Sequence, residues 1–342
     1  MTQEANSKNT DSNFQKKVWT AASIVALMVI IIWILKVTFN VLLLILAGAL
    51  IALFFRGLSG LLHRKTKVSK KVSLPVAIIG TLLLVIGFFW FAGSSIQQQV
   101  VQLSTTLPAT VETFKQQLSK SPIGQKIVER TSSKESMQKA TAVAQTFFRS
   151  TFGVLGDLYV VLFLGIFFTA SPKTYVSGFL KLVPKNARPR GSDVVTKVGE
   201  TLTKWLKGQL FAMLIVAVLT AIGLFIIGIP MALALALIAG VLNFIPNFGP
   251  LIAMIPAVLI GLTVGPTTAL LVAGLYILVQ VLESNIITPQ IQKRLISMPA
   301  ALIIIAQLFM GVLTGGWGLV LATPLTAMLI VVVQELYVKE QQ

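Results

Sequence analysis

Six apolar runs stand out along the chain: Val18–Leu35, Phe39–Phe55, Leu74–Gly93, Thr151–Ala170, Gln209–Gly228 and Pro266–Leu282. Each holds 17 to 20 residues, and about 20 apolar residues carry a helix across the ~30 Å hydrocarbon core of a bilayer. All six are therefore predicted to span. Between Gly228 and Pro266, and again after Pro299, the apolar sequence is cut into shorter pieces. Met231–Ile245 and Leu251–Val264 flank Pro246-Asn247-Phe248-Gly249-Pro250; Ala300–Leu313 and Leu319–Val333 flank Thr314-Gly315-Gly316-Trp317-Gly318. Arms of 14 or 15 residues rise only about 21–23 Å, short for a full span. The pattern predicts an all-α polytopic membrane protein with six spanning helices and two helical hairpins (231–264 and 299–333), re-entrant or only just spanning.

The polar stretches between the runs complete the organisation. A tail, 1–17, precedes the first three spans in 18–93, and it is too polar, with too long a run after it, for a cleaved signal. Residues 94–150 carry apolar positions every three or four residues (Ile96, Val100, Leu103, Leu107; then Val111, Phe114, Leu118), as amphipathic helices do. Their expected role is packing or subunit contact, with a receptor-like role as the alternative. The fourth span, 151–170, leads into a basic segment, 171–207, then a region with both hairpins, 208–337, and a short tail, 338–342.

Charge orients these pieces. With the N-terminus inside and each hairpin returning to its own side, the inner segments carry 20 of the 28 Lys and Arg. Apart from the long 94–150 segment, the outer side has only Lys36. Cytoplasmic loops accumulate Lys and Arg, and long translocated segments carry little orienting information. Both termini are thus expected to be cytoplasmic.

Composition removes several classes of function. Hydrophobic residues make up 55% and charged residues 11%, against about 25% charged in soluble domains. The net charge of +17 flanks apolar runs and is read as topology charge facing membrane lipid, with no nucleic-acid partner expected. There is no cysteine and one histidine, His63, so no metal site, disulfide or catalytic triad is expected. Gly57-Leu58-Ser59-Gly60 beside His63 resembles a serine-protease turn, but His63 lies in a basic loop. No phosphate-binding Gly-Lys-Ser/Thr loop occurs, so no nucleotide cofactor is expected.

The hairpins look like a repeat. Gly240-Val241-Leu242, Gly249-Pro250-Leu251-Ile252-Ala253 and Pro256 are matched, with small gaps, by Gly311-Val312-Leu313, Gly318-Leu319-Val320-Leu321-Ala322 and Pro324. By the charge count they enter from opposite sides. Paired broken segments in opposed repeats point to a transporter's central site, because non-helical backbone at membrane depth persists only where protein or a watery cavity satisfies it. Candidate solute-binding residues are Asn243, Asn247, Phe248, Gly249, Asn285 and Thr314, with Asn247 equally readable as a helix cap. Pro246, Pro250, Pro289, Gly315 and Gly316 are read as shaping the backbone. Glu283, at the end of the sixth span, is a candidate for a coupling proton or sodium ion, or an interfacial carboxylate near Lys293 and Arg294. Asp157 is a second candidate, read first as an interfacial or subunit-contact residue. Gln209 and Gln280 face the bundle or bond neighbouring helices.

Lys207-Gly208-Gln209, Gly228-Ile229-Pro230 and Asn243-Phe244-Ile245-Pro246-Asn247-Phe248-Gly249-Pro250 resemble the autoinducer-2 exporter family of bacterial permeases. So do Gln280-Val281-Leu282-Glu283-Ser284-Asn285 with Pro289, and the Gly-rich stretch ending at Thr323-Pro324-Leu325. The pair Asn247-Phe248 departs from the family's usual aromatic followed by a small or apolar residue. The resemblance implies a homo-oligomeric inner-membrane transporter whose hairpin region moves the solute. Within the family, export of autoinducer-2 and sodium(lithium)/proton antiport both occur. The expected function is a non-enzymatic secondary transporter of a small polar solute. The alternatives are an antiporter, or a membrane scaffold working through 94–150.

Overall fold

The computed structural model describes residues 2–69, 71–88, 90, 156–289 and 298–341. The amphipathic segment 94–150, the start of the fourth span, and Lys293 and Arg294 lie outside the described residues. Those described are helical almost throughout, with no strand among them. Ten helices follow in order: α1 (Thr2–Thr66), α2 (Lys71–Phe88), α3 (Gly156–Ala170), α4 (Pro172–Lys181), α5 (Arg188–Ile227), α6 (Ala232–Leu242), α7 (Phe248–Val264), α8 (Pro266–Leu282), α9 (Ala300–Thr314) and α10 (Gly316–Leu336).

Among the described residues five helices are long and apolar enough to cross a membrane, or six if α3 and α4 count as one bent span. Only 11–39% of each crossing window is buried inside the protein, and Val312, Ile226 and Leu270 are 88%, 80% and 71% exposed. Leu, Ile, Val and Phe facing outward along helices whose backbone bonds are all internal is the arrangement that lipid demands. This is a multi-pass membrane protein.

Two elements differ from the sequence expectation. The turn expected after Leu35 is absent, and α1 runs through Lys36-Val37-Thr38-Phe39-Asn40 unbroken. That stretch holds no Gly or Pro to break it. The second hairpin is also unequal: α9 has 15 residues and α10 has 21. Only Gly315 leaves helical geometry, at φ 68° and ψ −138°, so Gly316, Trp317 and Gly318 join α10 and lengthen it to a full span.

Helix α5 organises the rest. Its buried residues Trp205, Ala212, Val216, Thr220 and Leu224 repeat largely every four residues, the stripe of a helix facing protein on one side. It stops at Gly228, whose φ of 79° suits the left-handed cap that glycine adopts without strain. Two apolar cores line it. The first gathers Leu43, Leu46 and Leu50 of α1, Val161 of α3, Leu202 and Leu206 of α5, and residues of α9 and α10. The second gathers Val216 and Leu224 of α5, the α6–α7 hairpin and Val272, Tyr276 and Val279 of α8. Each hairpin thus belongs to a different core.

Candidate functional site

The first hairpin's tip lies where the two cores meet. Leu242 packs on the second core and Phe244 on the first, with Phe244 edge-on to Trp205 at 5.7 Å. Helix α6 ends here because Pro246 cannot continue it. Gln209, on α5 between the residues that face the first core and those that face the second, donates from Nε2 to the Asn243 carbonyl at 2.6 Å. Gln307 of α9 donates from Nε2 to the Pro246 carbonyl at 2.8 Å, and its Oε1 faces Asn247 Nδ2 at 3.4 Å. Gln307 is fully buried. Two amides from two helices, Gln209 of α5 and Gln307 of α9, therefore meet the broken turn.

The turn itself is tightly built. Asn247 has φ 66° and ψ −49°, outside the left-handed helical region, and the Phe248 N–H bonds to the Pro246 carbonyl at 2.8 Å, a positive-φ γ-turn. A Cβ on Gly249 would collide with the Leu242 carbonyl, so no larger residue fits beside it. Pro250 follows, buried in the first turn of α7, where its missing N–H leaves no bond unmade. Phe248 opens α7, half-buried. One group stands out: the Asn243 side chain is 1% exposed, and neither Nδ2 nor Oδ1 has a hydrogen-bond partner.

The second tip goes elsewhere. Thr314 bonds back to its own helix at the Met310 carbonyl, 3.0 Å. Trp317 donates from Nε1 to Asp157 Oδ2 at 2.7 Å, which ties this tip to α3. The two tips are offset: the first reaches Gln307, seven residues before Thr314 in the sequence, or about 10 Å along the helix. Gly316 has open space around it and helical backbone, so Gly315 alone shapes this turn.

Glu283 occupies a third position. It is 6% exposed and opens a π turn, Glu283–Ile287, an irregularity frequent at functional sites. Its Oε1 accepts from Thr288 Oγ1 at 2.7 Å, and its Oε2 from Ser284 Oγ at 3.3 Å and more distantly from Gln280 Nε2 at 3.5 Å. The π turn packs against α5. Asn285, by contrast, is exposed and donates to the Val281 carbonyl at 2.8 Å, so it braces the turn. Pro289, half-buried, follows it in helical geometry. At the opposite end of α10, Glu335 pairs with Lys197 at 2.5 Å and Lys339 at 2.7 Å.

Among the described residues no group of three His, Cys, Asp or Glu could hold a metal ion. The arrangement offers neutral amides and carbonyls at a break between two cores, and a carboxylate held by hydroxyls. It can hold and release a hydrogen-bonding solute or a small cation.

Comparison with known proteins places the chain among transporters. Residues 22–338 match the family described as AI-2E family transporter. YueF of Bacillus subtilis, provisionally named a transport protein, is 28% identical over 282 residues, 75% of each chain. YrrI of the same organism, also provisionally named a transport protein, is 40% identical over 148 residues, 43% of this chain and 42% of YrrI. The matched part thus spans less than half of YrrI. The AI-2 transport protein TqsA of Escherichia coli is 36% identical over 91 residues, 26% of each chain. With a match over nearly its whole length, a multi-pass architecture and a polar break inside its bundle, this chain belongs to the AI-2E transporter family.

Proposed function

We propose that this protein is a secondary transporter of a small, polar, uncharged solute, and that the solute is bound at the first hairpin's tip by Asn243, Asn247 and Gln307. The observation that carries the reading is the enclosed, unpartnered amide of Asn243. A buried amide without a partner costs about 1–3 kcal/mol, and a solute oxygen or hydroxyl would supply the missing bonds when the tip opens. In the alternating-access cycle, the α6–α7–α8 unit moves against the core of α1, α3, α9 and α10, with α5 common to both. An autoinducer-2-like molecule fits this chemistry, and TqsA carries that substrate in its name.

A second reading, sodium/proton antiport, is favoured by Glu283. A buried carboxylate among hydroxyls can take a proton or a small cation, and in the first reading the same group couples transport to an ion gradient. The charge count supports the bacterial inner membrane with cytoplasmic termini, and the family resemblance supports homo-oligomers. The test is flux in proteoliposomes against a panel including autoinducer-2, with imposed proton and sodium gradients. Solute movement that needs the protein and Asn243 supports the first reading. Ion exchange with no solute movement supports the second.

A further inference from the structure

Among the described residues, helix α4 stands apart from the other helices. It follows α3 across Ser171-Pro172 with a bend of 95°, and it has no buried residue. Since α3 is the fourth span, a right-angle turn at its end lays α4 along the membrane surface. Tyr175, Val176, Phe179 and Leu182 fall three or four residues apart, on one face of the helix. They are 44%, 39%, 58% and 83% exposed. Lys173, Ser177 and Lys181 occupy the opposite face, and Lys185 follows in the next turn.

The direction of the apolar face is fixed by one contact. The Tyr175 ring meets Phe168 of α3 edge-on at 4.8 Å, so that face folds back toward the span and hence toward the bilayer. Leu180 touches the start of α5 near Gly191. Arg188 donates to the carbonyls of Lys181 and Val183, both at 3.2 Å, which pins the end of α4. Among the described residues the rest of the apolar face has no protein cover. A helix with Phe and Leu on one face and Lys on the other seats at the boundary between headgroups and acyl chains, and anionic headgroups attract lysines placed near them.

We propose that α4 is an in-plane anchor: Tyr175, Val176, Phe179 and Leu182 enter the cytoplasmic leaflet, and Lys173, Lys181 and Lys185 engage anionic phospholipid headgroups. The proposal stands apart from solute identity and needs only the cytoplasmic placement of 171–207. The test uses the full chain, which has no cysteine of its own, carrying Phe179→Cys or Val176→Cys labelled with a polarity-sensitive dye. The protein is placed in nanodiscs of phosphatidylcholine with and without phosphatidylglycerol. The expected result is quenching by lipid with a shallow nitroxide, and iodide quenching that falls several-fold when phosphatidylglycerol is present. Replacing Lys173, Lys181 and Lys185 with Gln should erase that dependence. Three results would overturn the proposal: full iodide access in both membranes; protection from iodide and nitroxide lipid alike, which means protein such as a second copy covers the face; or identical insertion with and without anionic lipid.

Discussion

Asn243 and Leu have similar volume, so Asn243→Leu separates binding from packing. If the amide serves solute, its removal relieves an unpaired buried group, and the melting temperature should equal or exceed that of wild type. Solute flux should fall about tenfold, the equivalent of one lost hydrogen bond of about 1.4 kcal/mol. A variant that melts lower and transports normally would assign Asn243 to structure alone. Glu283→Gln keeps shape and removes the carboxylate. Only differential occupancy between access states can bias their equilibrium, so this variant should lose gradient-driven flux while downhill exchange survives. Wild-type gradient dependence at equal membrane abundance would remove the coupling role. At this scale the break around Asn243 and Asn247 was legible in the sequence, because Pro and Gly beside them mark it. Gln307 was not, sitting inside the apolar run Ala300–Leu313 with no breaker nearby. Its one signal was a lone amide among hydrophobic residues.

Among the elements, glycines with the same sequence appearance do different work. Gly249→Ala drives a Cβ into the Leu242 carbonyl, and overpacking of this kind costs about 1–3 kcal/mol; folded yield and melting temperature in detergent should both fall. Gly316→Ala meets nothing within 4 Å and should stay within about 0.5 kcal/mol of wild type. The hairpins were legible because Pro and Gly interrupt apolar runs, but periodicity could not tell which glycine of Gly315-Gly316-Trp317-Gly318 actually turns. Helix α1 poses the reverse problem. Its apolar stretch from Val18 to Phe55 rises about 57 Å as a straight rod, nearly twice the ~30 Å hydrocarbon core. Leaving the excess in water is costly, and the basic tail favours the inner side. We therefore expect α1 to fold near Lys36 on insertion, with Lys8→Cys labelled only from the cytoplasmic face. Labelling from outside is the signature of a rod that stays straight.

For the whole molecule, the membrane class followed directly from apolar content, but the division into two cores did not. That division depends on which faces of α5 meet which hairpin, and both hairpins look equally apolar in sequence. It makes Asn247 and Gln307, together with Phe244, a place where the two halves touch, and it offsets the two tips. If access alternates by movement of one half against the other, fixing this contact must stop the cycle. A chain without native cysteine makes the test clean: Asn247→Cys and Gln307→Cys, joined in proteoliposomes by a short, cleavable thiol cross-linker. The two substitutions remove solute contacts and lower flux by themselves, so the uncross-linked variant is the reference: its flux should be lost as the cross-link forms and regained when the linker is cleaved, whereas undiminished flux through completely cross-linked protein would contradict the account.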